Sequence, residues 1–250
     1  MRPAIVLSEQ RTGSNFLLSQ LEQHPKIQSF GEVFSKKQAV GCPTDMTKEE
    51  YIERKRSDPL SLLKSSIFSR DAINNQLPVH LIKLQYQNIR RDAGGRLLEL
   101  MQTLRDEVRV IHLVRRNALE RLVSKINAQK TEKYFVATKK EKPDDPDPYS
   151  LPYKIADRGM RKYLSDVDQM DEAFASFPLR HKIYYEDLVT NRVGEVQKVF
   201  EFLGVEPMRT KVQSVKQSLP ARFQIRNYAV LRERFHTTPF AQFFEDSPGY

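Results

Sequence analysis

Two clusters in this 250-residue chain have the residue types and spacing to hold an anion. The first is Ser8-Glu9-Gln10-Arg11-Thr12-Gly13-Ser14-Asn15, between the apolar run Pro3 to Leu7 and a helical apolar pattern at Phe16, Leu17, Leu18 and Leu21. A loop that leads from a strand into a helix gathers backbone N–H groups and the positive end of the helix dipole at one point. Gly13 lets the backbone approach closely, Thr12 and Ser14 supply hydroxyl donors, and Arg11 supplies a forked cation suited to phosphate or sulfate oxygens. The second cluster follows the apolar run Arg109 to Val114, which ends in Arg115-Arg116-Asn117, with Ser124 two turns into the next helix. The phosphate loop of nucleoside triphosphatases, G-x-x-x-x-G-K-[ST], is not matched, because position 8 is Ser and Gly13 rather than Lys precedes Ser14. Where such an enzyme would place an Asp for Mg²⁺ at a strand tip, this chain has Arg115 and Arg116. These features describe a site that binds a nucleotide's phosphates through protein charges, with no obvious metal.

The elements that must position these clusters show in the hydrophobic pattern. Strands are expected at Pro3 to Leu7, Ile27 to Phe30, Val79 to Leu84, Arg109 to Val114 and Lys182 to Tyr185, with helical stretches between them. Met160, Tyr163, Leu164, Val167, Met170, Phe174 and Phe177 recur at spacings of three and four, the stripe of a long helix packed on a core. Asn191 is placed to cap a further helix that Gly204 ends. Strands alternating with helices argue for an α/β fold, a parallel sheet covered on both faces. One domain over residues 1–250 is expected. Two stretches break the rhythm: Ser35 to Ser69, polar and helix-prone, and Lys139 to Pro152, rich in Pro and Asp. Each suits a solvated loop or a flanking insertion that forms an acceptor pocket or lid.

Composition narrows the class. With 39% hydrophobic and 29% charged residues the chain is too apolar for disorder, and it has no apolar run of about 18 residues to span a membrane. Lys and Arg number 41 against 32 Asp and Glu, and the net charge of +9 draws anions without saying which. The single Cys42 can form neither an internal disulfide nor a cysteine-based metal site, which suits the cytoplasm. His24, His80, His181 and His236 show no metal-binding spacing, and His112 lies within a strand.

Arg116-Asn117-Ala118, followed by Val123-Ser124 after an apolar strand, resembles the 3′-phosphate motif of sulfotransferases that use 3′-phosphoadenosine 5′-phosphosulfate. Arg11-Thr12-Gly13-Ser14-Asn15 resembles their 5′-phosphosulfate loop, in the arginine form of bacterial carbohydrate sulfotransferases of the trehalose and Nod-factor type. Gly31-Glu32-Val33-Phe34, Ile82 to Tyr86 and Tyr185-Glu186-Asp187-Leu188 also resemble that group, and Lys216-Gln217-Ser218 with Ile225 to Tyr228 fits its closing segment more loosely. The resemblance spans roughly residues 3 to 245 and implies a fold like that of the phosphate-loop nucleotide kinases.

Carried over, it implies that Arg11, Thr12, Gly13, Ser14 and Asn15 surround the 5′-phosphosulfate. Arg116 and Ser124 would hold the 3′-phosphate, with Arg115 as a helper and Lys216 in the closing segment. Asn117-Ala118 replaces the Asp-Pro of many members and leaves Arg115 as the other candidate for the 3′-phosphate. Glu32 is implied as the base that takes the acceptor's proton, with His112 as the runner-up. Arg11 is placed to meet charge on the leaving phosphate and Lys83, at the end of its strand, to assist. Glu186 and Asp187 are read as stabilising the turn from sheet to helix. The implied acceptor is a hydroxyl or amine of a carbohydrate or small specialised metabolite, with no metal, no nucleic acid and no membrane as partners, and relatives of the trehalose type pair as homodimers. Two other readings stay open: a phosphoryl-transferring nucleotide kinase with a degenerate loop, and a non-catalytic polyanion binder drawn from the +9 charge.

Overall fold

The computed structural model describes residues 2–35, 40–43, 46–69, 79–90, 96–131, 147–212 and 219–245. Its centre is a five-stranded sheet in the order β2-β3-β1-β4-β5. The strands are β1 (Arg2–Ser8), β2 (Ile27–Ser29), β3 (Val79–Gln85), β4 (Arg109–Val114) and β5 (Arg180–Tyr184), and every pairing is parallel. The α/β architecture expected from the sequence is therefore the one observed. β1 is nearly a continuous apolar run from Pro3 to Leu7, and β3, which carries His80, Lys83 and Gln85 among its apolar residues, is buried along its whole length, as strands covered on both faces are.

The helices are α1 (Ser14–Leu21), α2 (Lys48–Ser57), α3 (Pro59–Ser61), α4 (Tyr86–Arg90), α5 (Arg96–Thr103), α6 (Ala118–Thr131), α7 (Tyr153–Ala173), α8 (Tyr185–Thr190), α9 (Arg192–Leu203), α10 (Ala221–Gln224) and α11 (Tyr228–Phe235). Alternation along the strands sorts them into two layers. Ala4 and Val6 of β1 face the layer of Leu17 and Leu21 of α1 and Val199 and Phe200 of α9. Ile5 and Leu7 face the larger layer built from α2 and α4 to α7 together with α10 and α11. Asn191 caps α9 through the Gly194 N–H at 3.3 Å, and Gly204 ends it at φ 70°.

The structure differs from the sequence expectations in three places. β5 starts earlier than Lys182 because Arg180 and His181 pair with β4 despite their polarity, and Tyr185 already begins α8. The long helix starts at Tyr153, a full two turns before its apolar stripe, on a Pro152 N-cap. Within Ser35 to Ser69 the described residues include α2, α3 and a π-helical turn, Leu62–Ile67, whose Tyr51, Leu62, Leu63 and Ile67 are buried in the larger core layer. Residues 139–146 of the Pro-rich stretch lie outside the described residues, while Tyr149 bridges Ile225 and so ties the stretch to the C-terminal segment. No helix among the described residues is long and apolar enough to cross a membrane.

Candidate active site

Parallel pairing sets Ser8 beside Leu113 and beside Gln85, so the chain leaves β1, β3 and β4 at one carboxyl edge of the sheet. Open α/β sheets bind ligands at that edge, where the strand order reverses. The loop after β1 enters α1 at Gly13, φ 90°, and no side chain caps the helix. The first N–H groups of α1 thus have no capping side chain at Gly13, and helix starts of this kind bind anions readily. Arg11 also holds a left-handed conformation, φ 68°, which costs a non-glycine residue about 1 kcal/mol.

A brace beneath the loop holds that conformation. The Glu9 carboxylate, buried, accepts from Arg90 at 2.6 Å and lies 3.3 Å from Arg121, and its Oε1 accepts from the Gln10 N–H at 2.9 Å. Arg121 Nε donates to the Gln10 carbonyl at 2.9 Å, and Arg90 reaches on to Asp166 of α7 at 2.5 Å. Thr12 is fully buried and its hydroxyl donates to the Glu9 carbonyl at 2.8 Å, bracing the loop.

Lys83 lies within β3 rather than at its end and is almost wholly buried. Its Nζ donates to Asn15 Oδ1 and to Glu32 Oε1, both at 2.7 Å. Burial pulls the ammonium below its ordinary range, Glu32 opposes that pull, and Arg11 adds to it. The chain beyond β2 continues along β3, with Phe30 N–H on the Leu81 carbonyl and Lys83 N–H on the Gly31 carbonyl, each at 2.8 Å. This extension carries Glu32 to Lys83. Gln85, two residues on and so on the same face of β3, donates to Glu32 Oε1 at 2.8 Å.

The end of β4 is pinned from three sides. The Tyr163 hydroxyl accepts from the Arg115 N–H at 2.9 Å and donates to the Arg115 carbonyl at 2.8 Å. Glu186 accepts from the N–H groups of Arg116 at 3.0 Å and Asn117 at 3.1 Å, in the turn after β4 rather than the one after its own strand. The buried Arg115 guanidinium sits 4.7 Å from the Tyr185 ring centroid and reaches the Arg11 carbonyl at 3.4 Å. Arg116 turns outward, lies 3.9 Å from the Tyr184 ring centroid and pairs with Asp187. Arg11 Nε donates to Ser124 Oγ at 3.1 Å. The two clusters, over a hundred residues apart in sequence, therefore meet at one edge of one sheet.

Comparison with known proteins gives this arrangement a family. A model described as the sulfotransferase family matches residues 3–209. The chain belongs to the sulfotransferase family. Two Nodulation protein H sequences are among its relatives. That of Rhizobium meliloti is 26% identical over 248 residues, spanning 98% of this chain and 95% of the relative. That of Rhizobium tropici is 26% identical over 251 residues, spanning 97% and 93%. A sulfotransferase crystal structure from Alicyclobacillus acidocaldarius shares the fold at TM-score 0.54 with 16% identity, over 97% of this chain and 93% of that one. This sulfotransferase moves a sulfuryl group, and 3′-phosphoadenosine 5′-phosphosulfate is the donor its family uses.

Of the residues singled out in the sequence, Arg11 donates to Ser124 and Lys83 joins Asn15 to Glu32, the two sets being close enough for the Arg11 charge to act on Lys83, with Gly13 and Ser14 at the entry to α1. Lys216 lies outside the described residues. His112 sits in the sulfotransferase core, where burial pushes it down to about 4 and it contacts Tyr86 and Asp171. Sequence reasoning gave no site role to Glu9, Arg90, Arg121, Tyr163 and Gln85, although Glu9 and Gln85 lie in stretches it singled out and Tyr163 in the apolar stripe. Among the described residues no group of three or more His, Cys, Asp and Glu is arranged to hold a metal ion.

Gly13 offers a direct test of the loop. A Cβ there would run into the Tyr185 ring, and the positive φ disfavours any L side chain. Gly13→Ala is expected to destabilise the sulfotransferase by about 2–4 kcal/mol, adding a left-handed alanine to an overpacked contact. Urea unfolding reads this as a lower midpoint at unchanged slope. A loss of only about 1 kcal/mol, the backbone cost alone, would mean that Tyr185 moves aside, and an unshifted midpoint would overturn the left-handed conformation at Gly13.

Proposed function

We propose that the sulfotransferase binds 3′-phosphoadenosine 5′-phosphosulfate across the carboxyl edge of its sheet and passes the sulfuryl group to a hydroxyl or amine of a carbohydrate or small metabolite. The hydrogen bond from Arg11 to Ser124 carries the reading, because it joins the loop assigned to the 5′-phosphosulfate to the helix assigned to the 3′-phosphate. The residues fit such a donor: an uncapped helix start, a backbone-lined loop and the cations Arg11 and Lys83 beside it. Gly13, Ser14 and Asn15 line the 5′ end, with Thr12 bracing the loop from within. Arg116 and Ser124 take the 3′-phosphate, and Arg115 supports the loop from below.

In the transfer, the acceptor oxygen or nitrogen forms a bond to sulfur as the bond from sulfur to the phosphate oxygen breaks. Adenosine 3′,5′-bisphosphate leaves, and the acceptor's proton passes to the Glu32 carboxylate. Arg11 and Lys83 meet the charge that grows on the leaving phosphate, a term worth several kcal/mol when the donors are already in place. Likeness to the nodulation proteins and to bacterial carbohydrate sulfotransferases supports a carbohydrate acceptor.

Thermal melting with candidate ligands tests the donor site. A ligand that binds only the folded state at 100 times its Kd stabilises by about 2.7 kcal/mol. Adenosine 3′,5′-bisphosphate is expected to raise Tm with a chelator present, while ATP with Mg²⁺ leaves it in place. The reverse pattern would favour a kinase and end the proposal.

A further inference from the structure

Arg116 is gripped by three positions of the segment that runs from β5 into α8. Its guanidinium lies 3.9 Å from the Tyr184 ring centroid, its backbone N–H donates to Glu186, and its two terminal nitrogens donate to the two Asp187 oxygens at 2.6 and 2.7 Å. The side chains of Arg116 and Asp187 are 49% and 41% exposed, so water and ligands reach the pair. An exposed ion pair of this kind adds little to stability. Its geometry matters more, because a bidentate carboxylate fills the same fork that a phosphate would use. The two hydrogens that point into this fork are taken by Asp187, so a phosphate that enters the fork must displace the carboxylate.

We infer that Asp187 is an internal stand-in for the 3′-phosphate, holding the Arg116 fork until the nucleotide arrives and weakening its grip on the product afterwards. The inference rests on the assignment of Arg116 to the 3′-phosphate. The exchange is chemically simple. A phosphate ester brings more negative charge and three terminal oxygens against the single charge of a carboxylate. Tyr184 and Glu186 keep their hold on Arg116 throughout, so the fork stays near the sheet edge while it changes partner. The Arg116 hydrogen bond is the chief cause that holds the Asp187 carboxyl below its ordinary range, and the half-exposed side chain turns to water when displaced. A carboxylate is then left beside a phosphate, and like charges at close range repel. The pair thus sets nucleotide affinity at a level that lets product leave.

Calorimetry on the full chain, with adenosine 3′,5′-bisphosphate and adenosine 5′-phosphate as probes, tests this. Asp187→Asn should tighten the bisphosphate about two- to fivefold, the range of an exposed pair, and leave the 5′-phosphate as it was. Stopped-flow release of the bisphosphate should slow by a similar factor. Arg116→Ala should remove most of the preference for the bisphosphate, Ser124 keeping the rest, and adding Asp187→Asn to it should change nothing further. Unchanged or weaker bisphosphate binding by Asp187→Asn, with the Arg116→Ala loss intact, would overturn the role of Asp187 and leave Arg116 standing. An Arg116→Ala variant that kept the full preference would overturn the assignment of Arg116 and this inference with it. Both side chains are exposed, and a melt of each variant checks that folding is preserved.

Discussion

Lys83→Met is expected to cut kcat by about 10²- to 10³-fold, the loss seen when one positioned donor to a developing oxyanion is removed. The argument begins with burial. Lys83 is 4% exposed inside a strand, and its burial pulls its ammonium toward the neutral form against the pairing with Glu32. A folded chain gains little from such an arrangement, since buried ion pairs replaced by apolar groups of similar volume are often no less stable. The proposed reaction gives it a use. The cation sits between Asn15, at the start of the helix assigned above to the 5′-phosphosulfate, and Glu32, assigned above to the acceptor's proton. Methionine keeps the volume and loses the charge. Removing one partner of the pair lowers stability, a cost limited because Glu32 is 31% exposed and keeps Gln85, so a melt accompanies the rates. Turnover should fall, and Lys83→Arg should recover only part, because a planar fork does not fit a site built around a point charge. Steady-state rates with donor affinity from calorimetry check this, and a kcat within about threefold of the parent would remove Lys83 from the chemistry.

How far the site could be read in advance follows from how local its parts are. The strands were legible because β1 and β4 are mostly apolar and β3 carries Val79, Leu81, Ile82 and Leu84, and the loop from Ser8 to Asn15 stood out because it follows one such run with polar residues. The position of β5 was blurred because its first residues, Arg180 and His181, are polar members of an edge strand. The bracing network was hidden for another reason. Glu9 finds Arg90 and Arg121, and Arg90 finds Asp166, across four separate elements, and a single charged residue in each gives no pattern. Thr12 looked like an outward donor, yet whether a hydroxyl in a tight turn faces a ligand or its own backbone depends on dihedrals that spacing does not fix. Lys83 and Glu32 were each named from the sequence, but only the extension of the chain beyond β2 along β3 makes them partners.

That partnership shapes the test of Glu32, because the carboxylate has two possible duties: taking the acceptor's proton and holding the Lys83 ammonium. Glu32→Gln keeps the size of the side chain and an oxygen for Gln85 to donate to, while removing both the charge and the basicity. A lost general base lowers kcat by about 10²- to 10⁴-fold. Bisphosphate affinity should change little, since Glu32 sits across Lys83 from the loop. The two duties part company across a series of acceptors. A base matters most for an acceptor that gives up its proton reluctantly, so the deficit of Glu32→Gln should be large with an alkyl alcohol, smaller with a more acidic hydroxyl and smallest with an amine already neutral at the working pH. If Glu32 served only to place Lys83, every acceptor would lose the same factor, and the loss would match that of Lys83→Met and not add to it. Rates for both single variants and the double variant, measured with acceptors of graded acidity, separate these outcomes, and a flat series would take the proton away from Glu32 and leave it an anchor for the lysine.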